Sequence, residues 1–385
     1  MASSMQMKKT ITCRGAVCWG PQEPLKVEEI QVEPPRAHEV RVRMLCASVC
    51  HTDVKRWHGL PFPLFPRILG HEGVGVVESV GEGVEELKEG DTVIPALIAE
   101  CKECLNCSSG RTNKCLKFPL SLSGLMPDQT SRMSVKGQML YHMFTCSTFC
   151  EFMVVNADFV FKVDPRLPLP HASLLSCGFS TGFGMPWKEA KIEKGSTVAV
   201  FGLGGVGTGA IAGAHCMGAS KIIGVDLIQN KKETAYAFGM TDFINPNELD
   251  GRSISDAIKD MTGGLGVNYS FDCTEVPSVL NEAIEATIEG TGVTVIVGTP
   301  KEPTVPFSPS ALIHGVRTLK GSIFGGIKPQ SDMPALIAKC VNKEFELDRM
   351  VTHKIALDDI NDGFQLIKQP DCLKVCIEIN GKSAS

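Results

Sequence analysis

The segment STVAVFGLGGVGTGAIAGAHCMGASKIIGVDL, residues 196–227, decides the fold class. It reads as an apolar strand, a glycine turn, a helix of small residues and a second apolar strand that ends in an acid. Gly202, Gly204 and Gly207 form the pattern G-x-G-x-x-G directly after the strand TVAVF. Such glycines permit a tight turn and let a pyrophosphate approach the N-terminus of the following helix. The segment therefore predicts a dinucleotide-binding βαβ unit.

Asp226, at the end of the second strand, bears on which dinucleotide binds. A carboxylate at this point accepts hydrogen bonds from the adenosine ribose hydroxyls and repels a 2′-phosphate. The sequence therefore predicts NAD rather than NADP. The glycine pattern alone would be weak evidence, but both flanking strands and the acid accompany it.

Strands and helices continue to alternate after Asp226. Helix-like and strand-like stretches follow in the order SISDAIKDM (253–261), VNYSFDC (267–273), LNEAIEATIEG (280–290) and VTVIVG (293–298). This alternation is typical of a doubly wound parallel sheet. Beyond about residue 320 the chain has further helix-like segments and the strand-like LKVCIEI, which the pattern assigns to neither domain.

The first 150 residues are rich in strand and turn signals. HEVRVRMLCAS (38–48) alternates apolar residues with Arg41 and Arg43, which is the period of a half-buried strand. Residues 73–97 contain two more Val-rich strands separated by glycine and charge. Short strands at this spacing predict a small barrel-like domain. The predicted fold class is α/β, with a β-rich domain beside a doubly wound parallel-sheet domain.

Length and charge exclude several classes of protein. A chain of 385 residues indicates two domains. The formal net charge of −5 gives no electrostatic case for nucleic acid or an anionic membrane, so we expect neither partner. The N-terminal stretch lacks the apolar core of a signal peptide, and no apolar run is long enough for a transmembrane helix. We therefore expect a soluble, cytoplasmic protein.

The sixteen cysteines indicate metal binding or catalysis rather than disulfides in a reducing compartment. Cys101, Cys104, Cys107 and Cys115 form C-x2-C-x2-C-x7-C. Four thiolates can enclose Zn²⁺ in a tetrahedron that leaves no position for a substrate, so this loop is predicted to hold a structural zinc ion. Buried or redox-active thiols and an iron–sulfur cluster are alternatives that spacing leaves open.

A second set of candidate ligands is spread along the chain. Cys50, His71 and Cys177 offer two thiolates and one imidazole, the ligand set of a catalytic zinc ion with one open position. Their spacing does not pair them, and each taken singly is better explained by a buried structural role. Thr52 carries a hydroxyl suited to passing a proton, or is an ordinary turn threonine; His51 contacts a phosphate or is a surface imidazole.

Taken in order, these motifs resemble the zinc-dependent medium-chain alcohol dehydrogenases over nearly the whole chain. The stretches that carry the resemblance are GHEGVGVVESVGEGV, the four-cysteine loop, CGFSTGFG, FGLGGVG, IIGVD and RTLKGSIFGG. SGLMPDQTSRMS and GMTDFINP are similar to the plant alcohol-dehydrogenase-like branch, which includes enzymes acting on terpenoid alcohols. The resemblance also implies a homodimer.

The resemblance implies a GroES-like catalytic domain over residues 1–178, with the structural zinc loop at 101–115. An NAD-binding Rossmann domain follows over 179–323, and residues 324–385 return to the catalytic domain. Two zinc ions per chain are implied, one catalytic and one structural.

The resemblance also assigns site residues. Cys50, His71 and Cys177 match the catalytic zinc ligands, with Glu72 as a nearby acid and alternative ligand. Thr52 matches the hydroxyl of a proton relay. The cofactor contacts that it implies, besides the glycine turn and Asp226, are Thr181, Gly205, Val206, Lys231 near the ribose, and His51 and Lys374 at the pyrophosphate.

The implied reaction moves a hydride between an alcohol carbon and the nicotinamide, while zinc acidifies the alcohol and Thr52 passes its proton. This chain departs from the pattern at two positions. Lys55 stands where several relatives have a histidine that completes the relay, and a lysine needs a lowered pKa to do so. Leu97 stands where many ethanol-active relatives have an aromatic side chain, which favours a larger substrate.

Together the motifs and the resemblance imply a zinc- and NAD-dependent dehydrogenase of a bulky primary or secondary alcohol, or its carbonyl product, in plant terpenoid or alkaloid metabolism. Glutathione-dependent formaldehyde oxidation is an alternative, although no cationic pocket for glutathione is identifiable. Reduction of an iminium or enal without zinc is another, but the ligand set is intact. A catalytically silent zinc- and NAD-binding scaffold belongs to a different class, and it would fit better had a ligand or Thr52 been lost.

Overall fold

The structure is a computed structural model that describes residues 9–298 and 304–380. The chain forms two compact units. The first unit contains residues 9–177, Lys328–Asn342 and 351–380, and the second contains Gly178–Ile327 and Lys343–Met350. Across the described residues, no helix combines the length and the apolar character that crossing a membrane requires.

The strands are numbered in chain order. They are β1 (Ile11–Cys18), β2 (Lys26–Val32), β3 (Glu39–Val49), β4 (Arg67–Ile68), β5 (Glu72–Val80), β6 (Thr92–Pro95), β7 (Met133–Val135), β8 (Gln138–Met139), β9 (Phe152–Asn156), β10 (Val160–Lys162), β11 (Thr197–Phe201), β12 (Lys221–Val225), β13 (Asp242–Ile244), β14 (Tyr269–Asp272), β15 (Val293–Ile296), β16 (Thr318–Gly321), β17 (His353–Ala356) and β18 (Val375–Glu378).

The α-helices are short. They are α1 (His51–Trp57), α2 (Leu105–Ser108), α3 (Leu169–Leu174), α4 (Gly178–Gly184), α5 (Gly205–Cys216), α6 (Lys231–Ala237), α7 (Ile254–Asp260), α8 (Pro277–Glu285), α9 (Pro309–Ile313), α10 (Met333–Val341) and α11 (Ile360–Leu366). A π-helical turn, Met185–Glu189, follows α4. The 3₁₀ turns are Ala157–Phe159, Pro246–Glu248, Phe324–Gly326, Leu347–Met350 and Leu357–Asp359.

The first unit is built on two sheets. In the described residues one sheet has the order β4-β1-β2-β7-β8, and the other has the order β10-β6-β5-β3-β18-β17 with β9 also paired to β3. β3 is the central strand of the second sheet and is antiparallel to β5, β9 and β18. The three strands predicted over residues 38–97 are confirmed as β3, β5 and β6.

One detail of β3 differs from its sequence pattern. Arg41 is only 2% exposed, although the alternation predicts that it faces water. Its guanidinium donates two hydrogen bonds to the Glu78 carboxylate, at 2.7 and 3.2 Å, and one to the Lys9 carbonyl at 2.8 Å. The charge is tolerated inside because an acid from the neighbouring strand pairs with it.

The second unit contains a fully parallel sheet, which confirms the α/β fold class. Over the described residues its strand order is β13-β12-β11-β14-β15-β16. The first three strands of the unit therefore run outward to one side and the next three to the other, so the order reverses beside β11. Ligands bind at such a switch point in doubly wound sheets, and the glycine turn that follows β11 lies there.

Helices α4 and α5 pack backbone to backbone through glycine. A Cβ atom on Gly182 would collide with the Val206 carbonyl, and one on Gly209 would collide with the Phe179 carbonyl. This contact fixes the start of α5, where the glycine turn ends.

The second unit extends past residue 323, where the resemblance ended the Rossmann domain. A Cβ atom on Gly325 would collide with the Thr181 carbonyl, so the 3₁₀ turn Phe324–Gly326 packs directly against α4. The Phe345 ring lies 5.5 Å from Phe179 and 5.7 Å from Phe183, between ring centroids. The chain therefore returns to the first unit at Lys328, and Lys343–Met350 stay with the second.

Candidate functional site

Four side chains of types that bind metal ions, from three segments of the first unit, meet in one cluster. The ligand atoms of Cys50, His71, Glu72 and Cys177 all lie within 4.8 Å of one another. Cys50 follows β3 and His71 precedes β5, and these antiparallel strands pair Ser48 with Glu72. The strand register therefore brings the two ligands together although they lie far apart in the sequence.

Ser176 brings Cys177 to the same place. Its hydroxyl donates to the Gly73 carbonyl at 3.0 Å and accepts from the Gly73 N–H at 2.9 Å. This pair of hydrogen bonds to β5 positions the next residue, Cys177, beside His71.

The Cys177 thiol and the His71 imidazole hold the pKa of the Cys50 thiol well below its usual range, although burial opposes them.

Asp53 orients the His71 ring. Its Oδ1 lies 3.0 Å from His71 Nδ1 and accepts from the Gly70 N–H, while its Oδ2 accepts from the Cys50 N–H at 3.0 Å. A carboxylate on one ring nitrogen presents the other nitrogen to a metal ion. His71 Nε2 is buried and has no hydrogen-bond partner among the described residues, which fits this role. Asp53 was not predicted from the sequence, where it is visible only as an acid in the first turn after Cys50.

Glu72 forms a buried ion pair. Lys374 Nζ lies 2.6 and 2.9 Å from its two oxygens, and the Ser48 hydroxyl donates to Oε2 at 2.5 Å. Burial raises the pKa of Glu72 to about 7, although Lys374 opposes this. Lys374 is 4% exposed, so the cation that the resemblance placed on the cofactor pyrophosphate is bound to Glu72 in this structure.

The candidate relay residues lie on α1. Thr52 is half-buried, and its Oγ1 is 3.7 Å from the Cys50 Sγ. His51, the first residue of the helix, is exposed. Lys55 is half-buried one turn beyond His51. The hydroxyl of Thr52 therefore lies beside one of the two thiols of the cluster.

The chemistry of this cluster fits a catalytic metal ion. Two thiols and an unpartnered imidazole nitrogen converge, and the carboxylate beside them is already neutralised by Lys374. Zn²⁺ favours this soft ligand set, and three such ligands leave a fourth position open.

The second cluster lies in the loop that carries α2. Cys101, Cys104, Cys107 and Cys115 have their sulfurs within 4.8 Å of one another. The sulfurs of Cys101 and Cys107 are 3.9 Å apart, nearly twice the length of a disulfide bond. The Leu116 and Cys107 backbone N–H groups lower the pKa of the Cys104 thiol to about 6. Four converging sulfurs, three of which accept backbone N–H hydrogen bonds, fit a closed zinc site.

Two contacts that were not predicted from the sequence fix this loop within the first unit. Glu100, 2% exposed, accepts hydrogen bonds from the Gln330 and Ser331 N–H groups at 3.0 and 2.9 Å. Lys328 donates to the Cys107 carbonyl. No sequence motif indicates either contact, because each joins the loop to a segment more than 200 residues later in the chain.

The glycine turn lies in the second unit, between β11 and α5. Gly202 has φ +85°, a left-handed conformation that favours glycine, and a Cβ atom on Gly207 would collide with the Gly202 carbonyl. A Cβ atom on Gly204 would meet nothing within 4 Å. The turn thus leaves open space at the N-terminus of α5, which begins at Gly205 and Val206. This geometry fits a pyrophosphate.

Asp226 is buried beside this turn. It accepts from the Leu203 N–H at 2.7 Å and the Ile228 N–H at 2.8 Å, and Lys231 Nζ lies 3.2 Å from its Oδ2. The acid therefore shapes the glycine turn as well as presenting charge. Thr181 is a buried residue of α4.

Two family models match the chain. Residues 36–165 match the alcohol dehydrogenase GroES-like domain, and residues 205–342 match the zinc-binding dehydrogenase domain.

Relatives match over almost their full length. The chain is 54% identical to "CYP enzymes assisting alcohol dehydrogenase" of Catharanthus roseus, over 96% of this chain and 99% of the relative. It is 53% identical to alcohol dehydrogenase 1 of Artemisia annua, with 96% and 98% covered. The crystal structure of benzyl alcohol dehydrogenase from Acinetobacter calcoaceticus superposes with a TM-score of 0.87 at 28% identity, covering 96% of this chain and 99% of that one. On this evidence the chain is an alcohol dehydrogenase and belongs to the zinc-dependent medium-chain alcohol dehydrogenase family.

Proposed function

We propose that this enzyme interconverts a bulky primary or secondary alcohol, terpenoid or alkaloid in skeleton, and its aldehyde or ketone. It uses NAD⁺ or NADH, one catalytic zinc ion and one structural zinc ion. The observation that carries this proposal is the buried, unpartnered Nε2 of His71 between the thiols of Cys50 and Cys177. The four-cysteine loop takes the structural ion.

We assign the first unit as the catalytic domain. Cys50, His71 and Cys177 would hold the zinc ion, which as a Lewis acid acidifies a bound alcohol or polarises a carbonyl. Asp53 keeps the His71 ring in its ligating orientation. Glu72 and Lys374 form a neutral pair beside the ligands. Thr52 takes the proton of the alcohol at its Oγ1 and returns it in the reverse reaction.

We assign the second unit as the cofactor domain, with NAD⁺ supplying the hydride acceptor. The open space at Gly204 and the N–H groups of Gly205 and Val206 suit the pyrophosphate. Asp226 and Lys231 face the adenosine ribose, and Thr181 is a further contact. The proposed basic contacts to the pyrophosphate are His51, which is exposed, and Lys374, whose Nζ is bound to Glu72 in this structure.

Leu97 and the relatives support a bulky substrate. Leu97 is buried and offers a smaller side chain than an aromatic residue would. One similar structure is named a benzyl alcohol dehydrogenase, and two similar sequences come from plants. We further infer a cytoplasmic homodimer from the family resemblance.

An absorbance assay of NADH formation over a panel of alcohols tests this function. We expect terpenoid and benzylic alcohols to give a higher kcat/KM than ethanol. Formaldehyde with glutathione serves as the comparison substrate. Preference for that substrate would identify a formaldehyde dehydrogenase instead, and no turnover in a zinc-loaded, NAD-binding protein would identify a scaffold.

Asp226 should set the choice of cofactor. We expect the wild-type enzyme to prefer NAD⁺ over NADP⁺ by at least roughly tenfold in kcat/KM, or about 1.4 kcal/mol. Asp226→Gly should shrink this preference, because it removes the charge that repels a 2′-phosphate and releases Lys231. Asp226→Asn is the matched control, since it removes the charge but keeps an acceptor for the Leu203 N–H. A wild-type preference for NADP⁺ would refute this role.

A further inference from the structure

Arg56 is a buried guanidinium on the same face of α1 as Thr52. The two residues are four positions apart in this helix, so their side chains are neighbours. Arg56 is only 8% exposed, and its Nη1 donates to the Leu60 carbonyl at 2.8 Å. A guanidinium carries five N–H donors, so most of its capacity is left over.

No acid within the described residues forms an ion pair with Arg56. Asp53, the acid of the same helix, uses its oxygens on His71 and on the backbone of Gly70 and Cys50. Burying a charge without a partner is costly. The charge of Asp53 acts on Arg56 through space, but no direct ion pair within the described residues neutralises the buried guanidinium.

A second buried arginine increases this positive potential. Arg67 is 2% exposed, donates to the His142 carbonyl at 2.6 Å, and has an Nε with no hydrogen-bond partner in the described part of the chain. Burial and the neighbouring charge of Arg56 lower the pKa of Arg67 to about 10. The charges of the two guanidiniums repel one another, so both would stabilise an anion that binds near Arg56.

Phe144 connects Arg56 to the metal cluster. The guanidinium carbon of Arg56 lies 5.3 Å from the centre of the Phe144 ring, and that ring lies 5.6 Å from the His71 ring in an edge-on contact. Arg56 is thus one aromatic ring away from a metal ligand. Among the described residues, no Arg56 nitrogen is both sealed from solvent and unbonded, unlike Arg67 Nε. Its unused donors therefore face accessible space.

We propose that Arg56 determines substrate specificity by binding a carboxylate at the end of the substrate remote from its hydroxyl. This inference rests on the proposed function, in which Thr52 marks the reacting end. A guanidinium binds a carboxylate through two parallel hydrogen bonds, which would satisfy the spare donors of Arg56 and give it the direct ion pair that it lacks among the described residues. Four residues of helix rise about 6 Å, so a spacer the size of one aromatic ring separates the two ends.

A matched pair of substrates tests this role. We expect wild-type holoenzyme to use 4-(hydroxymethyl)benzoate at least about tenfold better in kcat/KM than its methyl ester, the scale of a hydrogen bond to a charged group. Arg56→Met should abolish that preference through KM while leaving benzyl alcohol turnover within about twofold, because Arg56 does not contact the reacting atoms. Arg56→Lys should restore part of the preference. Arg166→Met, at an exposed arginine, is the control.

Measuring the binding of a ligand that the enzyme cannot oxidise tests the role of Arg56 independently of the proposed function. Calorimetry with the unreactive 4-methylbenzoate should give a dissociation constant at least about tenfold weaker for Arg56→Met than for wild type. Equal binding, or an equal loss of kcat/KM on all three alcohols, would mean that Arg56 only ties α1 to Leu60 and Phe144. Failure to oxidise any alcohol would overturn the proposed function, while the binding measurement would still decide the role of Arg56.

Discussion

Replacing Thr52 by valine is expected to lower the turnover number by roughly 10²-fold or more, the usual scale for a lost acid–base group. Valine keeps the volume nearly constant but removes the hydroxyl that lies 3.7 Å from Cys50 Sγ. Zinc content and NAD⁺ affinity should be unchanged, because neither depends on this oxygen. Steady-state kinetics, metal analysis and cofactor titration on the same preparation would measure all three quantities.

Thr52→Ser is the matched control for this prediction. It restores the hydroxyl and should retain most of the activity. Lys55→Ala tests the outer part of the relay: if Lys55 passes protons, turnover should fall below neutral pH and small buffer bases should rescue it. Unchanged kinetics for Lys55→Ala would leave the proton to the cofactor ribose and water. Full activity of Thr52→Val would overturn the mechanism.

Replacing Cys107 by serine is expected to destabilise the protein by about 4 kcal/mol, a loss typical of a removed metal site. Cys107 is 6% exposed, and its carbonyl accepts from Lys328, so an incomplete shell would also loosen the returning segment. For domains of this size the loss corresponds to a fall of roughly 10 °C in thermal midpoint. Differential scanning calorimetry of the variant beside wild type would measure it.

Cys216→Ser provides the comparison, because Cys216 ends α5 in the second unit, outside both cysteine clusters. Its thermal midpoint should stay within a few degrees of wild type, as for most substitutions outside a metal site or core. If Cys107→Ser melts at the wild-type temperature, the four-cysteine loop does not hold a structural ion.

The parallel sheet was predictable because its strands are continuous apolar runs with glycine between strand and helix. The α6 helix and the β13 strand were not predicted. KKETAYA in α6 is polar and has no side-chain cap at Asn230, and β13 has only three residues. Neither segment contains enough residues of alternating polarity to indicate a helix or a strand.

The two candidate metal sites differ in how far the sequence predicts them. The structural loop follows from spacing, because its four cysteines lie within fifteen consecutive residues. The catalytic set follows only from family resemblance, since Cys50 and His71 meet through the register of β3 and β5. Cys177 joins them through the bonds of Ser176 to Gly73. Such contacts depend on tertiary structure and leave no local pattern.

Charges in the interior were the least predictable feature. The alternating pattern predicts an exposed Arg41, yet its side chain is buried and pairs with Glu78 of the neighbouring strand. Lys374 is buried with its Nζ bound to Glu72, a partner that no sequence pattern indicated. In both cases the acid lies on another strand, and a one-dimensional pattern cannot show which partner a buried charge will find.

Zinc stoichiometry tests the central claim most directly. Mass spectrometric metal analysis of the purified chain should find two zinc ions per chain in the wild type. It should find one in Cys50→Ser, which should stay folded and lose its activity because only the catalytic ligand set is broken. One zinc ion or none in the wild type would contradict the assignment of two sites.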